Sequence, residues 1–139
     1  MHVVAFAPSR KSELEPAGGV LAEGFPMTHC YLETLPGQII VPFVLAVYTN
    51  NGADMDPRRY IVAKSPEGER VGLLEFAWHW PDEPESPVKF RVFVHHLPIW
   101  IESAGLYEVG LADSPESAQL DSAFPLPVHL WKPTTADSQ

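Results

Sequence analysis

Six histidines and a single cysteine are the residues of this 139-residue chain with the most chemistry to offer. Imidazole nitrogens and a carboxylate together make a ligand set for a transition metal. His79, His95 and Glu75 form the best such set, because alternation puts them on the polar side of two strands close in sequence. A hairpin between those strands would set His79 opposite about Lys89 rather than His95. The metal set is therefore the alternative reading, and no metal or other cofactor is expected. His95 and His96 are adjacent, so on a strand they point to opposite faces and cannot share an ion. With Glu102 six residues on, the pair also lacks the His-x-His-then-Glu spacing of a cupin metal motif.

His29 and Cys30 would diverge in the same way, so they are not a nucleophile and its base, and Cys30 reads as a buried free thiol. There is no Gly-x-Ser-x-Gly elbow, and Gly18-Gly19 lacks the strand-then-helix context of a phosphate loop. Catalysis has no positive signal. Among the aromatics, Trp100 with Leu97 and Ile99 could form an apolar patch for a partner. Exposed indoles could also stack on sugars, but Trp78 and Trp80 share the apolar phase of their strand. The leading expectation is a non-enzymatic protein-interaction module whose partner is another protein or a second copy of itself.

The elements that must position these residues read as strands. Fifteen prolines, scattered along the chain, leave little uninterrupted room for helices. Val3–Ala7 opens as a short strand, Ser9–Gly19 reads as a loop, and Val20–Leu32 as one kinked or bulged strand. Gln38–Tyr48 is the most apolar run and β-branched, as a strand covered on both faces would be. Pro42 within it demands a free edge or a bulge. Arg59–Lys64 and Val71–Trp80 flank Ser65-Pro66-Glu67-Gly68, whose residue types are those of a type I turn. Leu74, Phe76, Trp78 and Trp80 alternate inward. Val88–His96 alternates again, with Val88, Phe90, Val92 and Val94 on one face and Lys89, Arg91 and His95 on the other. Ile99–Ile101, Ser103–Val109 and Phe124–Trp131 complete seven to eight strands. The expected fold is all-β, a single antiparallel sandwich over residues 1–132, with a disordered polar tail at 133–139.

The net charge of −9, from 18 acidic and 9 basic residues, opposes binding to nucleic acid or to an anionic membrane surface. One cysteine cannot make an internal disulfide. Met1–Pro8 has no basic n-region, and no run approaches the ~20 apolar residues of a membrane span. A cytoplasmic location is the expectation.

Ser103-x-Gly105-x-Tyr107-x-Val109 resembles the strand that carries the tyrosine corner in immunoglobulin-like domains, with Tyr107 in the tyrosine position and Val109 in that of the disulfide cysteine. The resemblance implies that the Tyr107 hydroxyl bonds backbone a few residues upstream. The chain is also similar to small uncharacterised bacterial proteins with a Gly-rich early strand, here Gly18 to Phe25, and a late Gly-x-Tyr strand. That likeness implies an immunoglobulin-like sandwich and carries no activity or functional residue with it.

Overall fold

The computed structural model describes residues 1–52 and 55–131. The expected tail at 133–139 lies outside them. Ten strands follow in order: β1 His2–Pro8, β2 Lys11–Leu14, β3 Val20–Glu23, β4 Cys30–Leu32, β5 Gly37–Asn50, β6 Arg58–Lys64, β7 Arg70–Ala77, β8 Val88–Ile101, β9 Gly105–Ala112 and β10 Asp121–Leu130. They form a three-stranded sheet β1-β5-β8, a five-stranded sheet β4-β10-β9-β6-β7, and the separate β2-β3 ribbon. The described residues are therefore all-β, but with ten strands in three sheets rather than seven or eight in a plain sandwich. Among the described residues, no helix is long and apolar enough to cross a membrane.

The two longest strands organise the molecule. β5 and β8 pair antiparallel without a break from Gly37↔Ile101 to Asn50↔Val88. With period two, Val41, Phe43, Leu45 and Val47 on β5 and Leu97, Ile99 and Ile101 on β8 face the opposing sheet, each no more than 2% exposed. Ile61, Ala63, Tyr107, Val109, Leu111, Leu126 and Val128 meet them from the five-stranded sheet. Burying each such Leu, Ile, Val or Phe contributes about 1.5–3 kcal/mol.

Three strand prolines are accommodated by one rule. The Pro42 carbonyl accepts from Ser9 N at 2.8 Å, so its missing donor faces the side where β1 stops pairing, after Pro8↔Phe43. By the alternation of an antiparallel ladder, Pro98, opposite Ile40 on β8, points its own missing donor away from β5. On β10, Trp131 N donates to Leu32 O at 2.7 Å, so Pro127 of the same parity faces the β4 side, beyond which β4 pairs only at Val128–Leu130.

The Ser65–Gly68 hairpin forms as its sequence requires. Gly68 N bonds Ser65 O at 2.9 Å, and the Ser65 hydroxyl accepts from Glu67 N and Glu69 N. Two stretches depart from expectation. Ser9–Gly19 contains β2, which pairs with β3 from Lys11↔Glu23 to Leu14↔Val20. Val20–Leu32 is two strands in different sheets, because Gly24, with φ +61°, and the cis Phe25–Pro26 bond interrupt it. Ile99–Ile101 is not a separate segment but the end of β8.

The two main sheets approach along the flank where β7 lies beside β8. A Cβ on Gly72 would sit 2.8 Å from the Pro98 carbonyl and 3.1 Å from Ala63 Cβ, so only glycine permits that contact. The flank is closed there. It opens toward the start of β8.

Candidate binding site on the β8 flank

The unbroken β5–β8 register reverses one expectation about β8. Because Leu97, Ile99 and Ile101 point inward, period two carries Lys89, Arg91, Phe93 and His95 to the same inner side, opposite Thr49, Val47, Leu45 and Phe43. Val88, Phe90, Val92 and Val94 occupy the outer face. The polar phase of this strand thus looks into the molecule, and the β2-β3 ribbon lies over part of the apolar outer face, where Val44 is 7% exposed.

On the inner side the aromatic residues of β7 and β8 interlock. Trp78 contacts Phe76, Trp80 and Phe93 at ring-centroid distances of 5.4, 5.6 and 5.0 Å. His95 packs on Phe76 at 4.4 Å and stacks on Phe93 at 5.2 Å. The Arg91 guanidinium lies 5.1 Å from the Phe93 ring centroid. Trp80 finds an acceptor for its indole N–H in the Met55 carbonyl at 3.0 Å. Three other buried nitrogens find no protein partner: Trp78 Nε1, Arg91 Nε and His95 Nε2. Burial, reinforced by the charge of His96, pushes the His95 imidazole below the ordinary histidine range, so it is held neutral more readily.

Arg91 stands apart from the other arginines. Arg10, Arg58 and Arg59 pair with Glu23, Glu75 and Asp113 at 3.5, 3.6 and 3.2 Å, and Arg70 donates to the Pro115 carbonyl at 3.1 Å. Among the described residues, no carboxylate lies within ion-pair distance of Arg91, in a chain with twice as many acids as bases. Arg91 is among the residues lining a 460 Å³ pocket at the edge of β8, with Leu14, Pro81, Phe90 and Val92 beside it and Glu15 and Gly18 in the ribbon tip. Three successive residues of β8, Phe90, Arg91 and Val92, line this pocket. The tip itself is a tight turn, with Gly18 N donating to Glu15 O at 3.1 Å and positive φ at Gly18 and Gly19. Leu14 and Phe90 remain 55% and 53% exposed. Phe90 continues a row across the sheet, its ring tilted against Tyr48 at 5.5 Å, which in turn stacks on His2 at 4.7 Å.

The residues singled out from sequence fall in different places. His79 is exposed, with Nδ1 2.6 Å from the Asp56 carboxylate. Glu75 is on the outer surface with Arg58, whereas His95 faces inward among the rings. Among the described residues, no three His, Cys, Asp or Glu side chains come together as a metal site. Leu97 and Ile99 are fully buried in the core, so of that apolar trio only Trp100 is exposed, with its indole N–H on Glu102 at 3.0 Å. Trp78 and Trp80 are buried; Trp100 and Trp131 are exposed, one on β8 and one just past β10. Cys30 is half-buried, and burial raises its thiol above the ordinary range.

Sequence reading missed two arrangements. The inward direction of Arg91 follows from its parity with Leu97, Ile99 and Ile101 only once all of them lie on one unbroken strand. The second had no such signal: His29 Nδ1 and His129 Nε2 lie 3.1 Å apart across the parallel β4–β10 pair, with the Tyr31 ring stacked near both. No protein-family model matches the chain, and no curated protein or solved structure shows significant similarity to it.

Proposed function

We propose that this chain is a non-enzymatic binding module of immunoglobulin-like build, with its recognition surface on the outer face of β1-β5-β8. The strand order supports the build. In an immunoglobulin-like sandwich, strands A, B and E are neighbours in one sheet and C, F and G in the other, with the tyrosine corner on F. Here β1, β5 and β8 take the first set of positions and β6, β9 and β10 the second. Tyr107, on β9, is 1% exposed and donates its hydroxyl to the Ser103 carbonyl at 2.8 Å. The remaining strands are a ribbon laid over one face, the three-residue β4 beside β10 and the eight-residue β7 beside β6.

The observation that carries the binding role is the row of large apolar side chains exposed on this face, although Leu73, Leu106 and Trp131 are also exposed on or beside the five-stranded sheet. At one end of the ribbon is Phe90; at the other Ile40 and Trp100 are 62% and 46% exposed, with Pro98 directly opposite Ile40. Aromatic and aliphatic residues with few charges between them are the composition of an interface centre. The exposed apolar Ile40–Pro98–Trp100 end suits a second copy of the same face, in a weak and concentration-dependent pair. Sedimentation velocity across a wide concentration range tests it. The wild type should associate as concentration rises, and Ile40→Asp should remain monomeric. A wild type that stays monomeric into the millimolar range would end the self-pairing reading.

A further inference from the structure

We infer that the pocket between the β2-β3 ribbon tip and the edge of β8 binds a small molecule with an apolar body and a carboxylate, the carboxylate meeting Arg91. This deepens the binding-module reading and rests on it. Three observations converge. The pocket is an open groove of about 460 Å³, within the ~300–1,000 Å³ range of small-ligand sites. Its walls are apolar, and two of them, Leu14 and Phe90, are left more than half exposed for a ligand to cover. Its one cation, Arg91, has a buried Nε without a protein acceptor and no carboxylate within ion-pair distance among the described residues.

The chemistry follows from the donors. A guanidinium offers a fork of N–H groups matched to a carboxylate and has no acceptor of its own. Resting over the Phe93 ring fixes its plane and partly desolvates it, which strengthens a bond to an incoming anion. Trp78 Nε1, on a residue 4% exposed, is a further unpaired donor in the aromatic cluster behind Phe93. The acid among the lining residues, Glu15, sits on the exposed ribbon tip. Its charge opposes an anionic ligand, so removing it should tighten binding.

An equal-chain series separates the terms: octanoate, 1-octanol and octylammonium, titrated into the full chain and followed by heteronuclear NMR at the Leu14, Phe90, Val92 and Arg91 signals. Octanoate should bind at least about tenfold more tightly than octanol, the fold-change of one charge-assisted hydrogen bond. Arg91→Gln should abolish that preference while leaving octanol binding intact, which also reports that the pocket is folded. Glu15→Gln should strengthen octanoate binding severalfold. Equal binding of octanoate and octanol, or a preference for octylammonium, overturns the carboxylate assignment and leaves an apolar pocket on the recognition face. No perturbation by any of the three at millimolar concentration overturns the pocket as a ligand site altogether, whatever sedimentation shows for the Ile40 end.

Discussion

Replacing Tyr107 by phenylalanine removes one hydroxyl and keeps the buried ring. That hydroxyl bonds the Ser103 carbonyl at 2.8 Å and so ties the turn between β8 and β9 to the first turn of β9's own path. A net protein hydrogen bond is worth about 1 kcal/mol. Ser103 is exposed, so water can reach its freed carbonyl, and the further cost of a stranded buried acceptor does not add in full. The expected loss is therefore about 1 kcal/mol. For a chain of this size it should lower the melting temperature by about 4 °C. With a urea m-value of about 2 kcal/mol/M, the midpoint should fall by about 0.5 M with m unchanged, since the same surface is exposed on unfolding. Tyr107→Ala is the companion measurement. Losing the ring from a fully packed site should cost about 3–5 kcal/mol. A phenylalanine variant whose midpoint matches the wild type would refute the reasoning, because the corner would then contribute nothing beyond the ring.

The neighbouring glycine carries the next prediction. Gly105 has φ +151°, and a Cβ there would lie 2.8 Å from Pro66 Cγ. Gly105→Ala should cost about 1–3 kcal/mol in a urea melt, and Pro66→Ala should recover part of it in the double variant. Full additivity of the two losses would contradict the contact. His95 predicts a pH dependence. Burial lowers its folded pKa beneath the ordinary 6.5, so the unfolded chain takes up a proton first, and stability present above that value is lost as pH falls through it. His95→Phe, which keeps a ring against Phe76 and Phe93, should flatten the stability difference between pH 7.5 and 5. An unchanged slope would assign the dependence elsewhere.

The sequence by itself determined the local structure wherever a short-range rule was sufficient. Prolines excluded helices, the β-branched run at Gln38–Tyr48 became a central strand, and Ser65-Pro66-Glu67-Gly68 made its hairpin, because turn chemistry and period two act within a few residues. A bond from the Tyr107 hydroxyl to upstream backbone was expected from the resemblance to a tyrosine-corner strand, and its acceptor, the Ser103 carbonyl, lies four residues before it. What only the tertiary structure decided was which phase of β8 faces inward. Read locally, Val88, Phe90, Val92 and Val94 are the apolar face; in the fold, the 14-residue β5–β8 ladder locks the strand's parity to Leu97, Ile99 and Ile101. A ladder cannot change face without a bulge, so the far end of the strand overrules the near end. That one long-range constraint turns Arg91 and His95 inward and separates His95 from His79 and Glu75. It also buries Leu97 and Ile99 and exposes Phe90 beside the ribbon tip. The ribbon's position over that face follows from packing between segments distant in sequence, which no local spacing encodes.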